Sequence, residues 1–225
     1  DFEKGLSNAL NAIFPNTVIS RCAFHYFKAV YSKLQSIGLS PLYGTPAYRN
    51  YFKSAMALAF VDPLDVPSYF DKLKEEALDN LPIASIGDSK RFFEYLEATY
   101  VGSLAPNGIR RTPQYPITTW NVYHRVLNGQ QIGNSTIEGY NSKLKAVPAN
   151  SSAQKVAEIL LEHQQSYSSK LTAATSLQLT LAQTYPQKPT SAKVHSQRKT
   201  AISNGSLGKS EIDHLFALCA YVHVI

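Results

Sequence analysis

The sequence predicts a mostly helical fold with a minor β part, and three observations carry this. Apolar residues recur at helical spacing along most of the chain, in blocks separated by prolines. Only one run, Thr17 to Phe24, is β-branched and apolar enough to read as a strand. Hydrophobic residues make up 44% of the chain and aromatics 11%, enough for a packed core and too much for disorder over most of the length.

Taken in order, Phe2, Leu6, Ala9, Leu10 and Ile13 share one face of an amphipathic helix over residues 2–13. The strand Thr17–Phe24 follows. A second helix then buries Phe27, Val30, Tyr31, Leu34 and Ile37 and stops at Gly38. One strand cannot form a sheet, so its partners come from upstream, from another chain, or not at all. Residues 40–130 read as helices between prolines. Tyr48–Phe60 is one, and Ser68–Leu81 is another, with Ser68 and Asp71 in capping-box positions after Pro67. Ser89–Val101 is a third, stopped by Gly102. Ala105–Pro116 is a loop and Trp120–Leu127 a short helix. A helix is expected from Ser135 to Ala146, closed by Pro148. A long one from Ser152 to Ala174 should bury Val156, Ile159, Leu160, His163, Tyr167 and Leu171. Residues 185–209, rich in Ser, Lys, Thr and Gln, read as a flexible tail, and 212–225 as an apolar segment able to dock.

Charge is distributed unevenly. The net charge is +6 and the pI about 9.2, which permits a nucleic-acid partner without requiring one. Acids crowd the stretch from Asp62 to Glu97, whereas none occurs from His163 to Ser210. A phosphate backbone would be repelled by the first stretch and held by the second. The 2 cysteines, Cys22 and Cys219, form no disulfide framework and suit a reducing compartment. No apolar stretch approaches the ~20 residues a membrane span needs, and no membrane partner is expected.

Several residues carry chemistry. Cys22-x-x-His25 is half of a tetrahedral zinc site, and Cys219 and His223, spaced for one helix face, offer a second half. The competing reading is a small buried cysteine at a strand end. Arg110 and Arg111, in a loop, are candidates for phosphate contacts, as are Lys143, Lys145, Arg198 and Lys199. Trp120, the only tryptophan, reads as core packing rather than base stacking. Ser135-x-x-Glu138 fits a capping box, and Asp1 fits an N-cap.

The order of the motifs adds a further reading. Asp1-Phe2-Glu3-Lys4, then Cys22-Ala23-Phe24-His25-Tyr26-Phe27-Lys28-Ala29, then Tyr115-Pro116-Ile117-Thr118-Thr119-Trp120-Asn121, then Asn134-Ser135-Thr136-Ile137-Glu138-Gly139-Tyr140 occur in sequence. This order resembles the second half of the catalytic domain of Mutator-like element (MULE) transposases, over about residues 1–165. Those are DDE enzymes of the ribonuclease H-like fold carrying a helical insertion.

The resemblance implies a partial ribonuclease H-like α/β core at 1–39 and a large helical insertion at 40–130. It implies a return to the core at 131–184, followed by a basic tail at 185–225. It makes Asp1 and Glu138 metal ligands for magnesium in DNA strand cleavage and transfer. The family's first aspartate would lie upstream of residue 1, so this chain, which opens on Asp, is expected to be a fragment without activity of its own. DNA, other copies of the chain in a transposition complex, and a nuclear location are implied likewise. The sequence departs from the family where Tyr140 is followed by Asn141 rather than His, and in the run Ile132–Ser135, which lacks the usual basic residue and paired asparagines. Two other readings stand beside it: a host-recruited, non-enzymatic DNA-binding or protein-interaction domain on the same scaffold, and a small zinc-binding adaptor.

Overall fold

The structure is a computed structural model that describes residues 4–16, 19–133, 151–176, 189–204 and 210–222. It is mostly helical, as expected. Among the described residues the only β pairing is an isolated bridge between Leu104 and Arg110. The chain divides into two compact units. One comprises residues 1–133 with 197–225, and the other 134–196.

In the larger unit, α1 (Lys4–Ile13) and α2 (Ala23–Ile37) form where the apolar periodicity places them. α2 ends on Gly38 in the left-handed conformation, whose amide bonds back to Gln35 O and Leu34 O. The expected strand between them does not form in the described residues 19–24. Ala23 and Phe24 belong to α2, and residues 19–22 are without regular structure. Lacking a ladder, this stretch satisfies its backbone against a distant segment. Arg21 N donates to Thr119 O at 2.8 Å, and Arg125 Nη1 donates to Arg21 O at 2.9 Å.

The span read as an insertion builds the rest of the core. α3 (Ser40–Gly44) and α4 (Pro46–Ala57) lead into a 3₁₀ turn at Leu58–Phe60. α5 (Val66–Asn80) starts two residues before Ser68, so the capping box expected there is not used. Asp62 starts the helix instead: its side chain accepts from Leu64 N at 3.0 Å and its carbonyl from Val66 N at 3.1 Å. Ser68 Oγ donates to Asp65 O.

α6 (Ile86–Leu96) likewise starts early and runs into a π turn at Glu97–Val101. Gly102 closes it with φ +100°, and a Cβ there would lie 2.1 Å from Arg111 O. Only glycine fits both the backbone conformation and that approach. α7 (Ile117–Trp120) and α8 (Tyr123–Leu127) replace the single short helix expected, broken at Asn121.

α2, α4, α5 and α6 pack together around Tyr26, Phe52, Phe60, Phe70, Phe92 and Phe93, all fully buried. Within the stretch expected to be a flexible tail, residues 189–203 form α10 (Pro189–Ser203). It is polar, but it opens on a proline, and Ile202 is buried in the core. α11 (Glu211–Leu218) docks on α4 and α5 as the expected apolar segment. It is capped by Ser210, whose Oγ accepts from Asp213 N at 3.2 Å.

In the smaller unit the described part is α9 (Ala153–Ser176) with the start of α10. α9 forms as expected, but the stripe assigned to burial is not covered among the described residues. Leu160 is 44% exposed, and Val156, Ile159 and His163 are half-buried. The side chains of Tyr167 and Leu171 lie outside the described residues.

Candidate functional site

The fold brings together two motifs that are far apart in sequence. Trp120 is fully buried and stacks on Tyr26 of α2, with ring centroids 4.6 Å apart and planes 16° from parallel. Its Nε1 donates to Tyr100 O at 3.1 Å. The expected packing role for Trp120 is what the geometry shows, since both the ring and its polar handle are satisfied inside.

Asn121 is the polar counterpart. Its Nδ2 donates to Leu58 O at 3.2 Å and Val61 O at 2.8 Å, and its Oδ1 accepts from Tyr123 N at 2.9 Å. One side chain thus ties the end of α4 to the break between α7 and α8. Tyr115 lies over Tyr100, and the Arg21 guanidinium sits 4.8 Å from the Tyr115 centroid.

Beside this cluster the chain returns to the start of α2. Ala23 N donates to Ile132 O at 2.8 Å, and a Cβ on Gly133 would lie 3.8 Å from Cys22 Sγ. Arg125 bridges the two strands of chain, donating to Arg21 O and to Gln131 O. Burial lowers its pKa, and the nearby Cys22 opposes that. Neither Arg21 nor Arg125 stands out in the sequence. Their only signal is that each adjoins a motif, Arg21 before Cys22 and Arg125 after Trp120-Asn121.

Asp1, Glu138, Lys143, Lys145 and His223 lie outside the described residues. Cys22, His25 and Cys219 are all described, and they do not converge. Among the described residues no three His, Cys, Asp or Glu side chains form a metal-sized group. Cys22 faces Gly133 and Arg125. Cys219 instead packs on α4, 3.5 Å from Ser54 Oγ and 3.8 Å from Asn50 O. Burial pushes its thiol up to about 11. His25 is half-buried at the first turn of α2, edge-on to Phe24.

The basic candidates separate into two kinds. Arg110 is largely buried and committed within the protein. It donates to both Asp71 carboxylate oxygens at 2.5 Å and to Gly102 O at 2.6 Å, with Glu97 3.7 Å away. That pairing joins α5 to the loop after α6 through both terminal nitrogens of the guanidinium. Arg111 and Lys199 are exposed. Arg198 is half-buried over the rings of Phe60 and Tyr221, at 5.3 and 5.9 Å, and burial lowers its pKa.

Comparison with family models, curated proteins and solved structures finds no match to this chain. No helix among the described residues is long and apolar enough to cross a membrane.

Proposed function

We propose that this chain is the C-terminal part of a MULE-type DDE transposase catalytic domain, working on DNA in the nucleus. In this reading residues 1–39 and 131–184 belong to a ribonuclease H-like core and 40–130 is its helical insertion. The observation that carries the reading is the meeting of two motifs. The motif Tyr115–Asn121, expected at the insertion's end, packs on the motif Cys22–Ala29 expected before it, Trp120 stacking on Tyr26. The chain leaves α2 at Gly38, builds α3 to α6, and comes back to the opposite, N-terminal end of α2, where Arg21 N meets Thr119 O and Ala23 N meets Ile132 O, each at 2.8 Å.

Asp1 and Glu138 are the proposed magnesium ligands. Carboxylate oxygens suit that hard cation, which in such enzymes activates the attacking oxygen and stabilises the leaving one. The family's reaction uses three carboxylates, and these residues supply two. The chain should therefore bind duplex DNA without cutting it.

The test combines a duplex-binding titration with a plasmid-nicking assay in magnesium. Binding without nicking is the expected result. Nicking that disappears in Glu138→Ala would overturn the two-carboxylate account. Failure to bind duplex DNA even at low salt would overturn the transposase reading itself.

A further inference from the structure

Carboxylates in the larger unit are confined to few elements. No Asp or Glu occurs between Lys4 and Val61, and α10 has none either. α2, α4 and α10 therefore carry cations without acids, while α5, α6 and α11 carry carboxylates.

Two of the acid-free elements meet at one short turn. The 3₁₀ turn Cys219–Tyr221 lies against α4, where Cys219 Sγ reaches Ser54 Oγ and Asn50 O. From the other side α10 holds the same turn. The Tyr221 hydroxyl donates to Gln197 O at 3.1 Å, and the Arg198 guanidinium lies over the Tyr221 ring. Ile202, one turn further along α10, is buried, so the 198/202 stripe faces the core and Lys199 is exposed. Lys53, next to Ser54, and Lys199, next to Arg198, thus flank the turn.

α11, which packs on α4, carries Glu211 and Asp213, but Glu211 pairs with Lys72 of α5 at 3.6 Å and Asp213 accepts from Ser210 Oγ at 2.7 Å. Among the described residues Arg198 has no carboxylate partner. Arg49, one turn before Lys53, donates only to the carbonyls of Tyr43 and Gly44, at 3.0 and 2.9 Å. Lys53 stands close enough to Cys219 for its charge to work against the burial that raises that thiol. None of the large exposed apolar side chains falls on α4 or between Gln197 and Ser203. The face offers charge without a wedge that could enter a lipid bilayer.

We propose that α4 and the Gln197–Ser203 part of α10 form a docking face for the phosphate backbone of a DNA duplex. Lys53 and Lys199 contact phosphates, and Arg198 holds α10 in place. This rests on the reading of DNA as partner and assigns its place. The face reads backbone and not sequence, because cations on helix exteriors address phosphates, whereas sequence is read at base edges.

The test is anisotropy of a short labelled duplex of arbitrary sequence, titrated with the full chain over a salt series. Removing two phosphate contacts in Lys53→Gln/Lys199→Gln should weaken binding about 60-fold near 0.1 M salt and lower the log–log salt slope by about 1.8. Arg91→Gln, on the acidic α6, should change neither, and the circular dichroism of both variants should match the parent. If the double variant binds like the parent while Arg111→Gln or Lys143→Gln/Lys145→Gln loses binding, the face is wrong and DNA remains the partner. If the parent binds no duplex at low salt, the face and the DNA reading fall together. Binding to anionic vesicles in place of duplex would overturn both in favour of a membrane surface.

Discussion

Replacing Asn121 by alanine tests whether the Tyr115–Asn121 motif is a structural tie or a nucleic-acid contact. The side chain is buried and makes three hydrogen bonds to backbone groups of two segments. Leu58 O keeps a second donor in Val61 N at 3.2 Å, so losing Asn121 leaves it partly satisfied. Val61 O and Tyr123 N lose their side-chain partner. An unsatisfied buried group costs about 1–3 kcal/mol, and Tyr123 is only half-buried. The sum is about 2–4 kcal/mol. With a urea m-value of about 2 kcal/mol/M, the midpoint should fall by about 1–2 M at unchanged slope. Asn121→Asp keeps the shape, and Oδ1 can still accept from Tyr123 N. It replaces a donor to two carbonyls by a carboxylate, and should cost at least as much. At temperatures where the variants remain folded, their duplex affinity should equal that of the parent. A stability change under about 0.5 kcal/mol together with lost DNA binding would refute the argument and make Asn121 a contact residue.

Alkaline pH should destabilise the core. Burial raises the pKa of Tyr26 and Tyr100, so the folded state holds both protons above pH 10 while the unfolded chain releases them. The two rings' full contribution is present below about pH 10. By pH 11 it has fallen by about 1.4 kcal/mol per ring, about 3 kcal/mol together, and the loss continues towards the folded values. Urea midpoints at the two pH values read this, and Tyr26→Phe should lessen the drop by about 1.4 kcal/mol. Gly102→Ala should cost about 3 kcal/mol or more, since it forces a side chain into the left-handed region and onto Arg111 O. A thermal melt that is unchanged would refute that. Cys22 and Cys219 are both buried, and Cys219 has its thiol pushed up to about 11, so at pH 8 a disulfide reagent should label neither before denaturant is added.

Where local signals decide structure, the sequence was legible. Gly38 and Gly102 stop their helices because each needs a positive φ that other residues resist. The apolar stripe of α2 is the face that packs, and Trp120 is core, as its size and solitary occurrence suggest. What escaped the sequence depends on distant partners. Thr17–Phe24 has strand chemistry, but a strand exists only through its neighbour, and the described part instead binds Thr119 and Arg125. α10 reads as a solvated tail until Phe60 and Tyr221 receive Arg198. Arg110 looks free in a loop, yet Asp71, which pairs with it, comes from the middle of α5. Spacing pairs Cys22 with His25 and Cys219 with His223, but only a fold can say whether two pairs meet; Cys22, His25 and Cys219 form no metal-sized group, and His223 lies outside the described residues.

The same core constrains how the proposed insertion works. A helical excursion that merely decorated its host would leave α2 with a complete environment of its own. Here α2 takes its environment from the excursion: the Tyr26 hydroxyl donates to Ala55 O at 2.8 Å, its ring packs on Tyr100 and Trp120, and Phe27 meets Phe60. α2 is therefore the seam between the two parts of the proposed domain. Its Ala23, Tyr26, Phe27, Val30 and Leu34 are already buried among the described residues. α1 differs, with Ile13 68% exposed and Phe14 just beyond it 55% exposed. In the proposed reading the host sheet would meet α1 and the stretch before α2, and the charge of α4 and α10 would face the DNA. An acid-rich α5 paired to Arg110 then serves a different purpose from binding. It keeps the loop after α6 folded against the body of the insertion, and it repels a backbone approaching from that side.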